Sequence, residues 1–333
     1  MTAGDLKTAV MVCGHGSRDP DAIAEFELVT AGLKTMLPTV DIETGYLEFA
    51  QPVIRDGLEK LVSRGARRIL ALPGMLFAAS HVKNDLPWEV NSFAALNPGV
   101  ELRFGRELSI EPKLLKAAAD RIAEAESNAR CPATRVETLL VVVGRGTNDP
   151  DANSNIAKIT RMLWEGMGFG WAETVFSGVA HPLVEPGLRR AAMLGFRRII
   201  VLPYFLFTGV LVKRIYAALD RVAADHPEIE FVKAGYLRDH PLVLDCFAER
   251  VAEMADGEAA MNCRLCKYRA QIIGYESAAG QPQQGHHHHV RGIGTDADRS
   301  VAHHHNHDHA HSHDTHHHDA HTHSSRHGSN GAS

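Results

Sequence analysis

Lys7–Ala22 reads KTAVMVCGHGSRDPDA, and Glu137–Ala152 reads ETLLVVVGRGTNDPDA, the same pattern 130 positions later. Carried onward at that offset, Ala50–Gly74 (AQPVIRDGLEKLVSRGARRILALPG) meets Ala180–Tyr204 (AHPLVEPGLRRAAMLGFRRIIVLPY). Met75–Lys83 (MLFAASHVK) then meets Phe205–Lys213 (FLFTGVLVK), and the register slips by one where NPGVELRFG faces HPEIEFVKAG. Several blocks at one gapless offset make the chain a tandem duplication, the first thing to establish because it sets the fold. Within copy one, TAVMVC, VDIETGY, RRILALP and VELRFG read as strands. Pro20–Leu37, Gln51–Ser63, Val82–Leu96 and Pro112–Glu126 read as helices. The strand runs are apolar throughout rather than alternating, as parallel strands covered on both faces are. The expected fold is α/β: two lobes, each a parallel four-stranded sheet flanked by helices. The expected division is lobe one over 1–130, lobe two over 131–257, and a third segment over 258–333.

Composition narrows the function. The 333 residues, at roughly 150 per domain, fit two domains with chain left over. A net charge of −5 argues against a general nucleic-acid binder. No apolar run approaches a membrane span of ~20 residues, and MTAGDLKTAV lacks a signal-peptide core. Five cysteines, a low and odd number, fit a reducing cytoplasm better than a disulfide framework.

The duplication supplies an internal control. Gly14, Gly16, Asp19, Pro20 and Asp21 persist as Gly144, Gly146, Asp149, Pro150 and Asp151, and Lys83 persists as Lys213. Their reading is structural: glycines for a turn after a strand, Asp-Pro-Asp for a helix start. By contrast His15 faces Arg145, Glu48 faces Gly178 and His81 faces Leu211. Three acid/base side chains at strand ends are thus confined to copy one, where the carboxyl ends of parallel strands border one crevice. Copy two is expected to be a degenerate partner, with Arg145 and Leu211 tolerant of change. Two histidines and a carboxylate suit a metal, a general base or both. A His₂Glu set also occurs in zinc hydrolases, but HExxH spacing, a GxSxG elbow and a Walker A ending are all missing.

The remainder changes character after Asp256. Of the 22 histidines, 17 lie between His286 and His327 in an irregular His/Asp/Ser/Thr tract. Such a tract is expected to be disordered and to bind divalent ions weakly and many at a time. Before it, Cys263 and Cys266 form a lone CxxC, compatible with zinc, redox exchange or packing. Cys13 is expected to be buried in the first strand.

GHGSRDPDA, GYLEFAQP, RRILALPGMLFAASHVKNDLP and the late MNCRLC together resemble the long form of the sirohydrochlorin cobaltochelatases. These are class II chelatases related to sirohydrochlorin ferrochelatase and protoporphyrin ferrochelatase. The resemblance spans about residues 7–275 and is followed by a His-rich stretch, as in that family. It implies two similar α/β lobes with a cleft between them. It also implies insertion of Co²⁺ into sirohydrochlorin with release of two protons, a step of cobalamin (vitamin B12) biosynthesis. His15 and His81 match the family's metal-site histidines and would act as ligands and proton acceptors, with Glu48 orienting or relaying. Ser17, Arg18, Ser80 and Lys83 are the substrate-binding candidates, Arg18 and Lys83 each against an equal reading as a solvated cation. Within the resemblance, MxCxxC implies a [4Fe–4S] cluster on Cys263 and Cys266, completed by a homodimer partner or by Cys131 or Cys246. Two rivals stay open: the same chemistry with Fe²⁺ or Ni²⁺, and a cobalt or nickel storage protein or metallochaperone in which the tail is the function.

Overall fold

The computed structural model describes residues 6–257, 261 and 263–282. The His-rich tract expected to be disordered lies outside the described residues. Lobe one runs β1 (Thr8–Gly14), α1 (Pro20–Met36), β2 (Asp41–Tyr46), α2 (Ile54–Ser63) and β3 (Arg68–Pro73). A π-helical turn, His81–Asp85, then leads into α3 (Leu86–Leu96), followed by β4 (Glu101–Phe104) and α4 (Pro112–Ser127). Lobe two repeats the order: β5 (Thr138–Gly144), α5 (Pro150–Met167), β6 (Trp171–Phe176) and α6 (Val184–Ala192). It ends with β7 (Arg198–Pro203), α7 (Val210–Asp225), β8 (Glu230–Lys233) and α8 (Pro241–Asp256).

Both sheets are parallel, ordered β2-β1-β3-β4 and β6-β5-β7-β8. Register repeats with the sequence: Ala9 lies opposite Ile69, and Leu139 opposite Ile199. All of β5 is buried, and all of β1 except Thr8, which is why these runs show no polar alternation. The Asp-Pro-Asp runs start helices as expected. Asp19 accepts from the Asp21 N–H (3.2 Å) and Asp149 from the Asp151 N–H (3.1 Å), with Pro20 and Pro150 opening α1 and α5. Two helix starts differ from expectation. Helix α2 begins at Ile54 rather than Gln51, because the Pro52 carbonyl accepts the Tyr46 N–H (2.9 Å) and holds that stretch beside β2. The third helix opens with a π turn, in which the Leu86 N–H reaches back to the His81 carbonyl.

The lobes exchange their last helices. Helix α4 packs on α5, β7 and β8 of lobe two, while α8 packs on α1 and β3 of lobe one. One shared core therefore joins Val10, Phe26 and Leu72 of lobe one, Leu140 and Ile156 of lobe two, and Ile122 and Phe247 of the exchanged helices. Two outer cores remain, one with α2 and α3 and one with α6 and α7. Arginines pin the exchange in matching fashion. Arg121 donates to the Tyr236 and Leu237 carbonyls, and Arg250 to those of Glu107 and Leu108. Both donors and acceptors are related by 129 positions, so the lobes stand in a two-fold-like relation. After α8, Met261 packs against the outer core of lobe one, and the Lys267 ammonium donates to the Asn148 carbonyl of lobe two (3.2 Å). No described helix is long and apolar enough to cross a membrane.

Candidate metal centre

Three strand ends meet at one point. His15 follows β1, Glu48 follows β2, and His81 opens the π turn beyond β3. Gly16 draws the first two together: at φ +90° its α-carbon comes so close that an added Cβ would lie 1.7 Å from the Glu48 carbonyl oxygen. Gly146 repeats this against Gly178 at 1.8 Å, which explains why these glycines persist in both copies.

His15 Nε2 lies 3.2 Å from His81 Nε2 and 3.3 Å from Glu48 Oε1, and one donor atom from each residue falls within 4.8 Å of the others. The opposite ring nitrogens are committed. His15 Nδ1 bonds the Gly16 carbonyl at 2.9 Å and His81 Nδ1 bonds Asp85 Oδ2 at 2.6 Å. A carbonyl and a carboxylate only accept, so both Nδ1 atoms carry the hydrogen and, in neutral rings, both Nε2 atoms turn lone pairs toward each other. Two lone pairs and a carboxylate so close together call for a cation between them. Imidazole nitrogens bound at ~2.1 Å and separated by this distance subtend about 100° at a metal, between octahedral and tetrahedral values. Both rings are partly open to solvent while Glu48 is buried. An ion held here therefore keeps coordination positions facing the space beyond. This is the only such cluster of histidine, cysteine and acidic groups among the described residues.

That space is a cleft of about 550 Å³ between the lobes, lined by both. Its walls are largely apolar: Ile23, Phe26 and Phe49 on one side, Ile156, Phe205 and Phe207 on the other. The buried hydroxyls of Tyr46 and Tyr204 also border it, and neither has a hydrogen-bond partner among the described residues. Burial pushes both phenols well above their ordinary pKa, so both remain donors. Among the described residues the lining includes two arginines, Arg18 and Arg145, and no lysine, aspartate or glutamate.

The four substrate-binding candidates separate. Ser17 and Arg18 line the cleft, Ser17 accepting from the Asp19 N–H (3.0 Å) and Arg18 resting 4.9 Å over the Phe49 ring. Ser80 and Lys83 do not line it and face lobe two instead. Ser80 donates to Asn148 Oδ1 (3.1 Å), and the buried Lys83 ammonium bonds Asp149 Oδ2 (2.9 Å) and Asp151 Oδ2 (3.2 Å). Burial alone would depress Lys83, but the two carboxylates outweigh it and hold the ammonium above its ordinary pKa. Its copy, Lys213, bonds Asp19 Oδ2 (2.8 Å) and Asp21 Oδ2 (3.0 Å) in return. Persistence of this lysine thus reflects a reciprocal clamp between lobes, not a rim for substrate.

Asp85 is the site residue that sequence reading missed. It is 2% exposed, sits one helical turn beyond His81, accepts from Asn84 Nδ2 (2.6 Å), and faces Ile215 in copy two. Comparing the copies four residues beyond His81 would have found it. Of the cysteines, Cys13 and Cys246 are fully buried, and desolvation pushes both thiols up to about 12. Cys246 lies in the shared core, which makes it a poor cluster ligand. Cys266 is buried beside Lys267, and Cys131 is partly exposed.

Comparison with known proteins places this geometry in context. The CbiX family profile matches residues 9–125 and again 139–254. The sirohydrochlorin cobaltochelatase of Priestia megaterium is 37% identical over 270 residues, covering 81% of this chain and 87% of that protein. Among solved structures, SirB from Bacillus subtilis with Fe³⁺ superposes with a TM-score of 0.67 at 27% identity, covering 77% of this chain and all of that one. The sirohydrochlorin chelatase SirB from B. subtilis subspecies spizizenii in complex with cobalt gives 0.63 at 26%, covering 76% and 97%.

Proposed function

The chain belongs to the CbiX family, and from that premise we propose that it is a cytoplasmic enzyme inserting Co²⁺ into sirohydrochlorin. The observation that carries this reading is the convergence of His15, His81 and Glu48 on the edge of an apolar cleft between the lobes. A planar macrocycle fits between apolar walls, while the donors form an edge-on site for the incoming ion. Neutral imidazoles suit a borderline divalent ion. His15 and His81 hold the metal through Nε2, kept in that tautomer by Gly16 and Asp85. As the ion passes to the ring it acidifies the pyrrole N–H groups. His15 and His81 then take the two protons that leave, one on each Nε2, with Glu48, 3.3 Å from His15 Nε2, orienting that ring and relaying its proton outward.

Fe²⁺ is the alternative metal, favoured by one observation: SirB is solved both with Fe³⁺ and with cobalt. A storage or carrier role explains the His-rich tract but leaves a two-lobed apolar cleft without purpose. In our reading the tract gathers divalent ions for the site, raising their local concentration without shaping the cleft. The blocks 1–130, 131–257 and 258–333 are units of sequence whose helices α4 and α8 have been traded. Cys263 and Cys266 supply at most two thiolates of the four a [4Fe–4S] cluster takes. Such a cluster would draw the others from a second copy in a homodimer, and no step of insertion depends on it.

The test is purified, anaerobic protein incubated with sirohydrochlorin and Co²⁺, Fe²⁺ or Ni²⁺ in turn, followed by absorbance. Fastest insertion is expected with Co²⁺, and a chain ending at Ser277 should reach the same rate at higher cobalt. Failure to bind sirohydrochlorin at all would overturn the enzymatic reading in favour of storage.

A further inference from the structure

Arg145 occupies the place in lobe two that His15 occupies in lobe one. The reciprocal pairs Lys83–Asp149 and Lys213–Asp19, with Arg121 and Arg250, establish the two-fold-like relation of the lobes. Arg145 therefore brings lobe two to the same cleft that His15 and His81 line from lobe one. Arg145 is exposed and lines the cleft, within electrostatic reach of Glu48.

Two features separate Arg145 from the structural arginines. Arg121 is satisfied by the Tyr236 carbonyl of the opposing lobe and by Glu124 of its own helix, and Arg250 by the Glu107 carbonyl and the Glu111 carboxylate across the boundary. The Arg145 guanidinium makes no hydrogen bond or ion pair among the described residues; only its backbone carbonyl is engaged, by Ser177 Oγ at 2.8 Å. It is also one of two arginines, one from each lobe, in a cleft lining that includes no acidic side chain among the described residues. An exposed guanidinium that no described protein group hydrogen-bonds keeps all its donors for a ligand entering the cleft. Its planar fork matches a carboxylate with two parallel hydrogen bonds.

We propose that Arg145 is the lobe-two anchor for a peripheral carboxylate of the tetrapyrrole, fixing which face the macrocycle turns toward His15 and His81. Arg18, on lobe one, holds a second point of the rim. The degenerate copy thus exchanged a metal ligand for a substrate ligand, and the earlier expectation that Arg145 tolerates change is reversed. The inference rests on the chelatase reading and deepens it.

The experiment uses the full chain and compares wild type with Arg145→Gln and Arg145→Lys. Binding of metal-free sirohydrochlorin is followed by its absorbance, and cobalt binding is measured without tetrapyrrole. In Arg145→Gln the Kd for sirohydrochlorin should rise about 10- to 100-fold, the worth of one charge-assisted contact. KM should rise similarly, kcat should change less than about threefold, and Arg145→Lys should recover part of the loss. Cobalt affinity should stay unchanged, and fully methyl-esterified sirohydrochlorin should bind wild type and Arg145→Gln alike. An unchanged sirohydrochlorin Kd in both variants overturns the proposal, as does a loss confined to cobalt affinity, which would place the effect on Glu48. Wild type that neither binds nor metallates sirohydrochlorin defeats the chelatase reading itself, a result distinct from an inert Arg145.

Discussion

Lobe one and lobe two use the same loops for different purposes. After β1 and after β5 each chain segment makes the same glycine contact, the same aspartate cap and the same reach across to the other lobe's lysine. Among the differences, four acid/base side chains meet at one place in lobe one: His15, Glu48, His81 and Asp85 against Arg145, Gly178, Leu211 and Ile215. Features kept in both copies hold the lobes together; features present in one copy converge on the donor cluster. A duplicated chain thereby separates scaffold from chemistry without any second sequence, because both copies face the same folding problem and only one keeps the metal donors.

The strongest way to break this comparison is to remove a donor. His15→Ala and His81→Ala should each lower the initial insertion rate by roughly 10²- to 10⁴-fold, since each loses a ligand and a proton acceptor together. Leu211→Ala, at the place equivalent to His81, should change it by no more than a fewfold. Thermal unfolding of all three should resemble wild type, because both rings are partly exposed and take no part in the cores. Near-normal rates in both histidine variants would sink the site.

The two clamps sharpen the comparison from the scaffold side. Lys83 and Lys213 are copies with the same partners, but Lys83 and Asp149 are buried, whereas the Lys213 side chain is over half exposed. Lys83→Met leaves a buried carboxylate without its cation and should cost about 3–5 kcal/mol. Lys213→Met removes an exposed ammonium, so that water can reach the 7%-exposed Asp19 in its place, and should shift the unfolding midpoint less than Lys83→Met. Urea titrations of the two variants decide it, and equal losses would mean that burial does not distinguish the clamps.

Most of the fold was legible because parallel strands and repeated glycine–aspartate loops leave strong local patterns. The helix exchange was not. Helices α4 and α8 look the same in sequence whichever sheet they cover, since an amphipathic face records that it is buried and not by what. Arg121 and Arg250 mark the exchange, yet the register slip just before them hides their equivalence at the original offset. Of the candidate site, the meeting of His15, Glu48 and His81 could be expected from the copy comparison, because acid/base groups are absent from copy two. Lys83 carried a substrate-contact reading beside its structural one for the converse reason: a cation near a crevice resembles a substrate contact until its partners, two carboxylates over sixty residues away, are known. Asp85 was passed over because an acid in a helix ordinarily faces solvent, and nothing local marks this one as 2% exposed.

Asp85 gives the smallest and most discriminating expectation. Its carboxylate fixes the His81 ring from behind at 2.6 Å and does not itself line the cleft. Asp85→Asn keeps the shape but replaces an anionic acceptor with an amide that accepts more weakly and also donates. His81 then loses the bond that holds hydrogen on Nδ1, and part of its population turns Nε2–H toward the donor cluster. Cobalt affinity and insertion rate should each fall about 10- to 100-fold, as for other partners of metal-ligating histidines. A merely structural aspartate would lower stability and leave the affinity of the folded fraction intact, so cobalt binding is measured below the unfolding transition. Asp85→Glu, which restores the charge at a different reach, should recover part of the affinity. The matching change in lobe two, Ile215→Asp, buries a carboxylate where no histidine waits, and should destabilise without any gain in metal binding. Should Asp85→Asn bind cobalt as tightly as wild type, His81 needs no support from behind, and the copy difference at this position is only a matter of packing.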